Sequence, residues 1–190
     1  MHDIIYPGAG VIFMKVGTHA QESLEDIIKR KTKEIDEAGY ALWGYGGNTC
    51  HPRTMVQPFA EIVRERGHAI HLVMQEMDSH HFAEQIRATH SSVDGLDWQQ
   101  ISPNINVRGS RFALKIKNLR HEAGKLQLAN SRVVVGNSAG RAGSKYIQGR
   151  VDKACLEITD RAASNEAPNR EIDIHLVAEL AEPYAVLLKS

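Results

Sequence analysis

Hydrophobic and polar positions alternate along the chain in two different ways. Near the N-terminus a short apolar run, Val11–Val16, reads as a strand closed by Gly17. Leu24, Ile27, Ile28 and Ile35 then recur at helical spacing, and only Lys31 breaks the stripe. Thr18 and Gln21 fit a capping box ahead of this helix. Glu25–Lys29 and Asp26–Arg30 fit i,i+4 ion pairs on its wet face, and Gly39 fits its C-terminal stop. Tyr40–Tyr45 reads as a second strand that enters the loop Gly46-Gly47-Asn48-Thr49-Cys50-His51-Pro52. A second helix is expected from Thr54 or Pro58 to Arg66, with Phe59, Ile62 and Val63 inward. Its start depends on Pro58, because an interior proline clashes with the preceding turn. His68–Met74 reads as a third strand, and Ser79–Ala88 as a shorter third helix.

After residue 90 the helical period is lost. Phe112–Ile116, Ser131–Val135, Ala154–Ile158, Ile172–Leu180 and Tyr184–Leu188 read as strands between turns rich in Gly, Asn, Ser and Pro. Asp160–Arg170 has no apolar periodicity and reads as an exposed loop. The pattern predicts an α/β (or α+β) fold. Its N-terminal half is β-α-β-α-β-α with a mixed sheet, and its C-terminal half is mostly β. A length of 190 residues suits one domain, 1–190, with 1–95 and 105–190 as candidate sub-lobes.

Composition narrows the class without naming a reaction. Gly (15) and Pro (6) are too few for a collagen-like or linker-like chain. No apolar run reaches the roughly 18 to 20 residues that span a bilayer. The first residues lack the basic and apolar regions of a secretory signal. Cys50 and Cys155 cannot make a disulfide framework and fit a reducing compartment. A cytoplasmic protein with no membrane partner is therefore expected.

Charge adds a feature that the formal net charge of zero conceals. Residues 108–153 contain eleven Lys and Arg against only Glu122 and Asp152. The flanking stretches, 1–107 and 154–190, are both acidic. A basic block of this kind points to phosphate-rich partners, unless the acidic stretches neutralise it in the fold. On the strand Arg111–Lys117, Phe112, Leu114 and Ile116 share one face, and Arg111, Ala113, Lys115 and Lys117 share the other. That basic stripe serves either to track phosphates or to protect a sheet edge. The loop from Gly136 to Lys145 is basic and rich in Gly and Ser. It fails GxxxxGK[ST], because Arg141 stands where the second glycine is required, so a nucleotide triphosphatase is rejected.

Other clusters carry weaker chemistry. If the first three strands are parallel, the loops 17–19, 44–51 and 75–81 gather on one rim, where open α/β sheets bind ligands. Trp43, Tyr45, Gly47, Asn48 and His51 are the candidate ligand-binding residues there, with the two aromatics as a stacking surface and the glycine turn facing an anion. His51, His68, His71, His80 and His81 show no zinc spacing, so no metal ligands are assigned. Glu171-Ile172-Asp173-Ile174-His175 alternates acids with aliphatics, as metal-dependent nucleases do, but lacks a following E-x-K.

The leading expectation is binding of nucleic acid or a phosphorylated nucleotide-like ligand through the 108–153 block. Arg108, Arg111, Lys115, Lys117, Arg141, Lys145 and Arg150 would contact phosphates, and Trp43, Tyr45 or Tyr146 would stack on a base. The first alternative is a small cytoplasmic enzyme, a hydrolase or nuclease, at the strand-end loops. The second is a structural subunit that docks an acidic protein partner or a second copy of itself. No catalytic residue and no cofactor is assigned.

Overall fold

A computed structural model describes residues 3–45, 50–81 and 84–190, excluding the side chains of 79–81. Among these residues nine strands and three α-helices follow one another as β1 (Gly10–His19), α1 (Leu24–Ala38), β2 (Ala41–Tyr45), α2 (Gln57–Glu65), β3 (Ile70–His81), β4 (His90–Ser92), β5 (Gln99–Gln100), β6 (Phe112–Gln127), β7 (Ser131–Val133), α3 (Gly143–Tyr146), β8 (Lys153–Ile158) and β9 (Glu171–Lys189). The fold is mixed α/β, with parallel and antiparallel pairings and a C-terminal half that is mostly strand. Hydrogen-bonded strands follow the order β2-β6-β9-β3-β1-β8-β7, and β4 pairs with β5 and β9.

Two predicted elements change. The helix expected over 79–88 is absent among the described residues, because β3 continues to His81. Sheet pairing holds 79–81 extended, and Arg87 makes a single bridge to Arg108 in place of a helical turn. The break expected between Leu180 and Tyr184 is also absent. β9 runs through the cis Glu182–Pro183 bond as one strand, with Tyr184 at φ 68.

The chain folds as two compact units. One comprises residues 1–15, 49–76 and 120–177, and the other 16–48, 77–119 and 178–190. Each of the strands β1, β3, β6 and β9 gives one end to each unit.

In the first unit α2 is preceded by a π-helical turn, Pro52–Val56. Pro58 is the second residue of α2, directly after this turn, so the helix begins before the proline. Phe59, Ala60 and Val63 are buried and Ile62 is half-buried. Antiparallel β8 pairs with β1 in the register Gly10↔Glu157 to Met14↔Lys153, and β7 pairs on its other side. Their inward side chains, including Val11, Phe13, Leu156 and Ile158, join Leu126, Leu128, Ile172 and Ile174 in one core. Buried Glu157 is held by Arg66 (2.6 Å) and by Nε and Nη2 of Arg132 (2.9 and 2.7 Å).

The expected loop at 160–170 is irregular and mostly exposed. Ala163 N–H donates to the Ala129 carbonyl and Glu166 meets Lys145 at 3.4 Å, while Arg170 anchors the loop's end by donating to the Ile147 carbonyl (2.5 Å) and accepting the Leu128 N–H (2.9 Å). Limited proteolysis is expected to cut first between residues 164 and 169. A first cut elsewhere among the described residues, found by mass spectrometry of the fragments, would show that these ties hold the loop closed.

In the second unit α1 starts later than its predicted cap. Ser23, not Thr18, is the N-cap: its Oγ accepts the Asp26 N–H at 3.2 Å and donates to the Asp26 carboxylate at 2.6 Å. β1 extends through Thr18 and so takes that residue away from the helix. Gly39 ends α1 in the left-handed region, at φ 78, as expected. The pair Glu25–Lys29 forms at 2.8 Å. Arg30 instead makes a bidentate pair with Glu22 (2.9 and 2.5 Å), holding that carboxyl below its ordinary range.

Lys31, which interrupts the apolar stripe, is only 2% exposed, as is Glu34. Lys31 Nζ donates to Glu34 (2.8 Å) and to the Asn106 carbonyl (2.6 Å), and Asn106 N–H donates to Glu34 (3.0 Å). Arg30 also reaches Glu34 and the Asn106 carbonyl. This network fastens α1 to residues 102–108. Burial, opposed by Glu34, pushes the Lys31 ammonium down to about 8.

Candidate ligand-binding groove

The acidic stretches neutralise much of the basic block. Lys117 pairs with Glu179 (2.9 Å), Lys125 with Glu171 (3.0 Å), Arg132 with Glu157 and Lys145 with Glu166. Arg120 reaches Asp3 (3.5 Å) and Glu122 (3.2 Å), while Lys153 reaches Asp152 (2.9 Å). Arg108 donates to the Asn106 side-chain carbonyl at 3.1 Å. Arg111, Arg141 and Arg150 are exposed. Of the candidate phosphate contacts, Arg108, Arg111, Lys115 and Lys117 belong to the second unit, and Arg141, Lys145 and Arg150 to the first.

The acidic strand 171–175 alternates as expected, with Ile172 and Ile174 buried. Among the described residues no group of three His, Cys, Asp or Glu gathers for a cation here: Glu171 accepts from Lys125 and Gln127, and His175 Nδ1 accepts the Glu76 N–H at 3.0 Å.

At the expected rim, β2 pairs antiparallel with β6, which with β9 separates it from β3. Trp43 and Tyr45 are 4% and 2% exposed, and Tyr45 packs against Phe112. Neither ring offers a face to an incoming base. Their strand is covered on both sides because Ile101, Ile105 and Val107 bury the face that Leu42 and Ala113 share. Gly44 makes room for this cover, since a Cβ there would lie 2.7 Å from Ser110 Oγ. Gly47 and Asn48 lie outside the described residues. His51 is exposed, and its carbonyl accepts the Met55 N–H at 2.8 Å in the π-helical turn.

Lys115 follows Ala113 on the covered face and emerges where the cover ends. It sits over the Tyr40 ring, 4.5 Å from the centroid, and lines a groove of about 360 Å³ in the second unit. The apolar wall comes from Leu42, Ile101, Pro183 and Val186, and the polar wall from Ser91, Asp94, Asp97, Gln99 and Gln100. Register explains the assembly: Leu42 lies opposite Lys115 on β2–β6, and His90–Ser92 pair with Leu187–Lys189 of β9.

The turn between β4 and β5 is built around Asp94. Its Oδ1 accepts from the N–H groups of Leu96 (2.8 Å) and Asp97 (3.0 Å) and from Ser92 Oγ (3.0 Å). Those backbone donors hold the carboxyl below its ordinary range. Trp98 Nε1 donates to the Gly95 carbonyl (3.2 Å), and Lys189 lies over its ring. The groove therefore presents one ammonium, two carboxylates and two side-chain amides beside an apolar floor.

Of the predicted site residues that are described, only Lys115 lies in this groove. Tyr40 and the 91–101 segment carry no site prediction, although Ser92-Val93-Asp94-Gly95 carries the Asx-turn chemistry that marks a tight, ordered turn. No protein-family model, curated protein or solved structure matches this chain.

Proposed function

We propose that the protein binds a small phosphorylated, nucleotide-like ligand in the second unit's groove, with Lys115 neutralising the phosphate. The observation that carries this reading is the position of Lys115. It is the cation of the basic block that lines the groove, and among the described residues it has no carboxylate partner. The volume suits a small molecule. Half-buried Tyr40 and Pro183 offer an apolar surface for a ring above the buried Leu42, Ile101 and Val186, and Gln99, Gln100 and Asp97 offer donors and acceptors for its polar edges. The ion pairs that occupy Lys117 and Lys145 leave fewer free cations for a long phosphodiester backbone.

Calorimetric titration with adenosine monophosphate, adenosine and inorganic phosphate tests the reading. Adenosine monophosphate is expected to bind more tightly than either fragment. Lys115→Met is expected to weaken it by about 10- to 100-fold, the worth of one hydrogen bond to a charged group. Equal binding by Lys115→Met, or no binding of the monophosphate at millimolar concentration, would remove the proposal.

Nucleic-acid binding is the second reading, favoured by the exposure of Arg111, Arg141 and Arg150, which have no carboxylate partner among the described residues. Its mark is affinity for an oligonucleotide that falls steeply between about 50 and 200 mM salt. An affinity that ignores salt would dismiss it.

A further inference from the structure

Cys50 and Cys155 are 105 residues apart in sequence and 3.7 Å apart at their sulfur atoms. Both are thiols of the first unit, outside any disulfide, and almost fully buried, at 0% and 1% exposed. Cys155 is fixed in the middle of β8, opposite Ile12 of β1. Cys50 precedes the π-helical turn and has φ 53, a left-handed conformation that side chains with a Cβ seldom adopt. Such outliers persist only where the surroundings enforce them, and they concentrate at functional positions. Burial, then the two thiols, raise the phenol of half-buried Tyr146 in α3 above its ordinary value.

A disulfide needs sulfurs at about 2.05 Å, so these must close by about 1.7 Å. Among the described residues no third His, Cys, Asp or Glu completes a metal-binding group here. Two facing thiols do form a complete two-electron pair.

We propose that Cys50 and Cys155 constitute an oxidation site, which a peroxide converts into an intramolecular disulfide. One thiol, as its thiolate, attacks a peroxide oxygen; the O–O bond breaks, giving a sulfenic acid and, after proton transfer, water. The second sulfur then attacks the sulfenic sulfur, and its proton leaves with the hydroxyl as a second water. Two thiols are thereby oxidised and one hydrogen peroxide is reduced to two waters. Burial makes the reaction slow and selects a small, uncharged oxidant. The contact with Cys50, and then burial, hold the Cys155 thiol well above its ordinary range, so Cys50 is assigned the first attack and Cys155 the resolving step.

The test treats the native full chain with hydrogen peroxide at a dose that fully oxidises free glutathione, then unfolds it in iodoacetamide. Peptide mapping is expected to find Cys50 joined to Cys155, a loss of about 2 Da, and no alkylation of either. Dithiothreitol is expected to restore two alkylatable thiols. Cys50→Ser and Cys155→Ser are each expected to abolish the 2 Da loss. The wild-type map alone decides the matter if a variant does not fold. Two thiols still alkylated, sulfinic acid on the separate cysteines, or a cross-link between two chains would each overturn the proposal.

Discussion

Glu34→Ala is expected to destabilise the protein by about 3–5 kcal/mol, because it leaves a buried ammonium without its carboxylate. Lys31 would keep only the Asn106 carbonyl, and the Asn106 N–H would lose its acceptor. Lys31→Met is expected to cost less, since Glu34 would still hold Arg30 (3.2 Å) and the Asn106 N–H. The two variants therefore differ in sign of the charge left behind and in how well it is paired. Urea unfolding at neutral pH checks the order, and a larger loss for Lys31→Met would show that the carboxylate is the stranded group.

The same lysine makes stability depend on pH in a defined direction. Its folded-state value of about 8 lies below the ordinary 10.5. Between those limits the unfolded chain holds a proton that the folded chain has released, so stability rises with pH across that window. The full span is worth roughly 3 kcal/mol, at about 1.4 kcal/mol per pKa unit. Tyrosines, cysteines and the other lysines titrate in wild type and Lys31→Met alike. The stability of wild type minus that of Lys31→Met is thus expected to climb between about pH 8 and 10. Parallel curves for the two proteins would mean that burial does not depress this group.

What the sequence disclosed follows the range of the forces involved. The stripe of α1, its glycine stop and the inward residues of α2 depend on neighbours three or four positions away, and they are legible. Lys31 looks like a flaw in the stripe because Glu34, three positions on, compensates it only where Asn106, 75 residues away, caps both side chains in the core. The stretch 79–81 is strand because of pairing, which no local pattern announces. The basic block is plain as composition, whereas the carboxylates that neutralise it, Glu157, Glu166, Glu171 and Glu179, lie in the acidic C-terminal stretch. The groove is the extreme case. Its walls come from residues 40–42, 91–101, 115 and 183–186, and only the Asp94 turn and Lys115 carry any local signal.

Gly10 provides the second large effect, through space rather than charge. It is buried at the start of β1, opposite Glu157, and its φ does not demand glycine. A Cβ there would stand 2.7 and 2.8 Å from the two methyls of Val63 and 3.3 Å from the Phe59 ring. α2 thus approaches β1 as closely as a missing side chain allows. Gly10→Ala is expected to cost about 1–3 kcal/mol as overpacking, and Gly10→Val more. Val63→Ala alone is expected to cost a similar amount by leaving a void in a core position that is 2% exposed. Combined, the new methyl at residue 10 fills part of the space vacated at residue 63. The double variant should therefore lose about 1–2 kcal/mol less than the two single losses together, within the range of contacting pairs. A double-mutant cycle by urea unfolding measures this coupling. Losses that add to within about 0.5 kcal/mol would show that Gly10 is not held by its contact with α2.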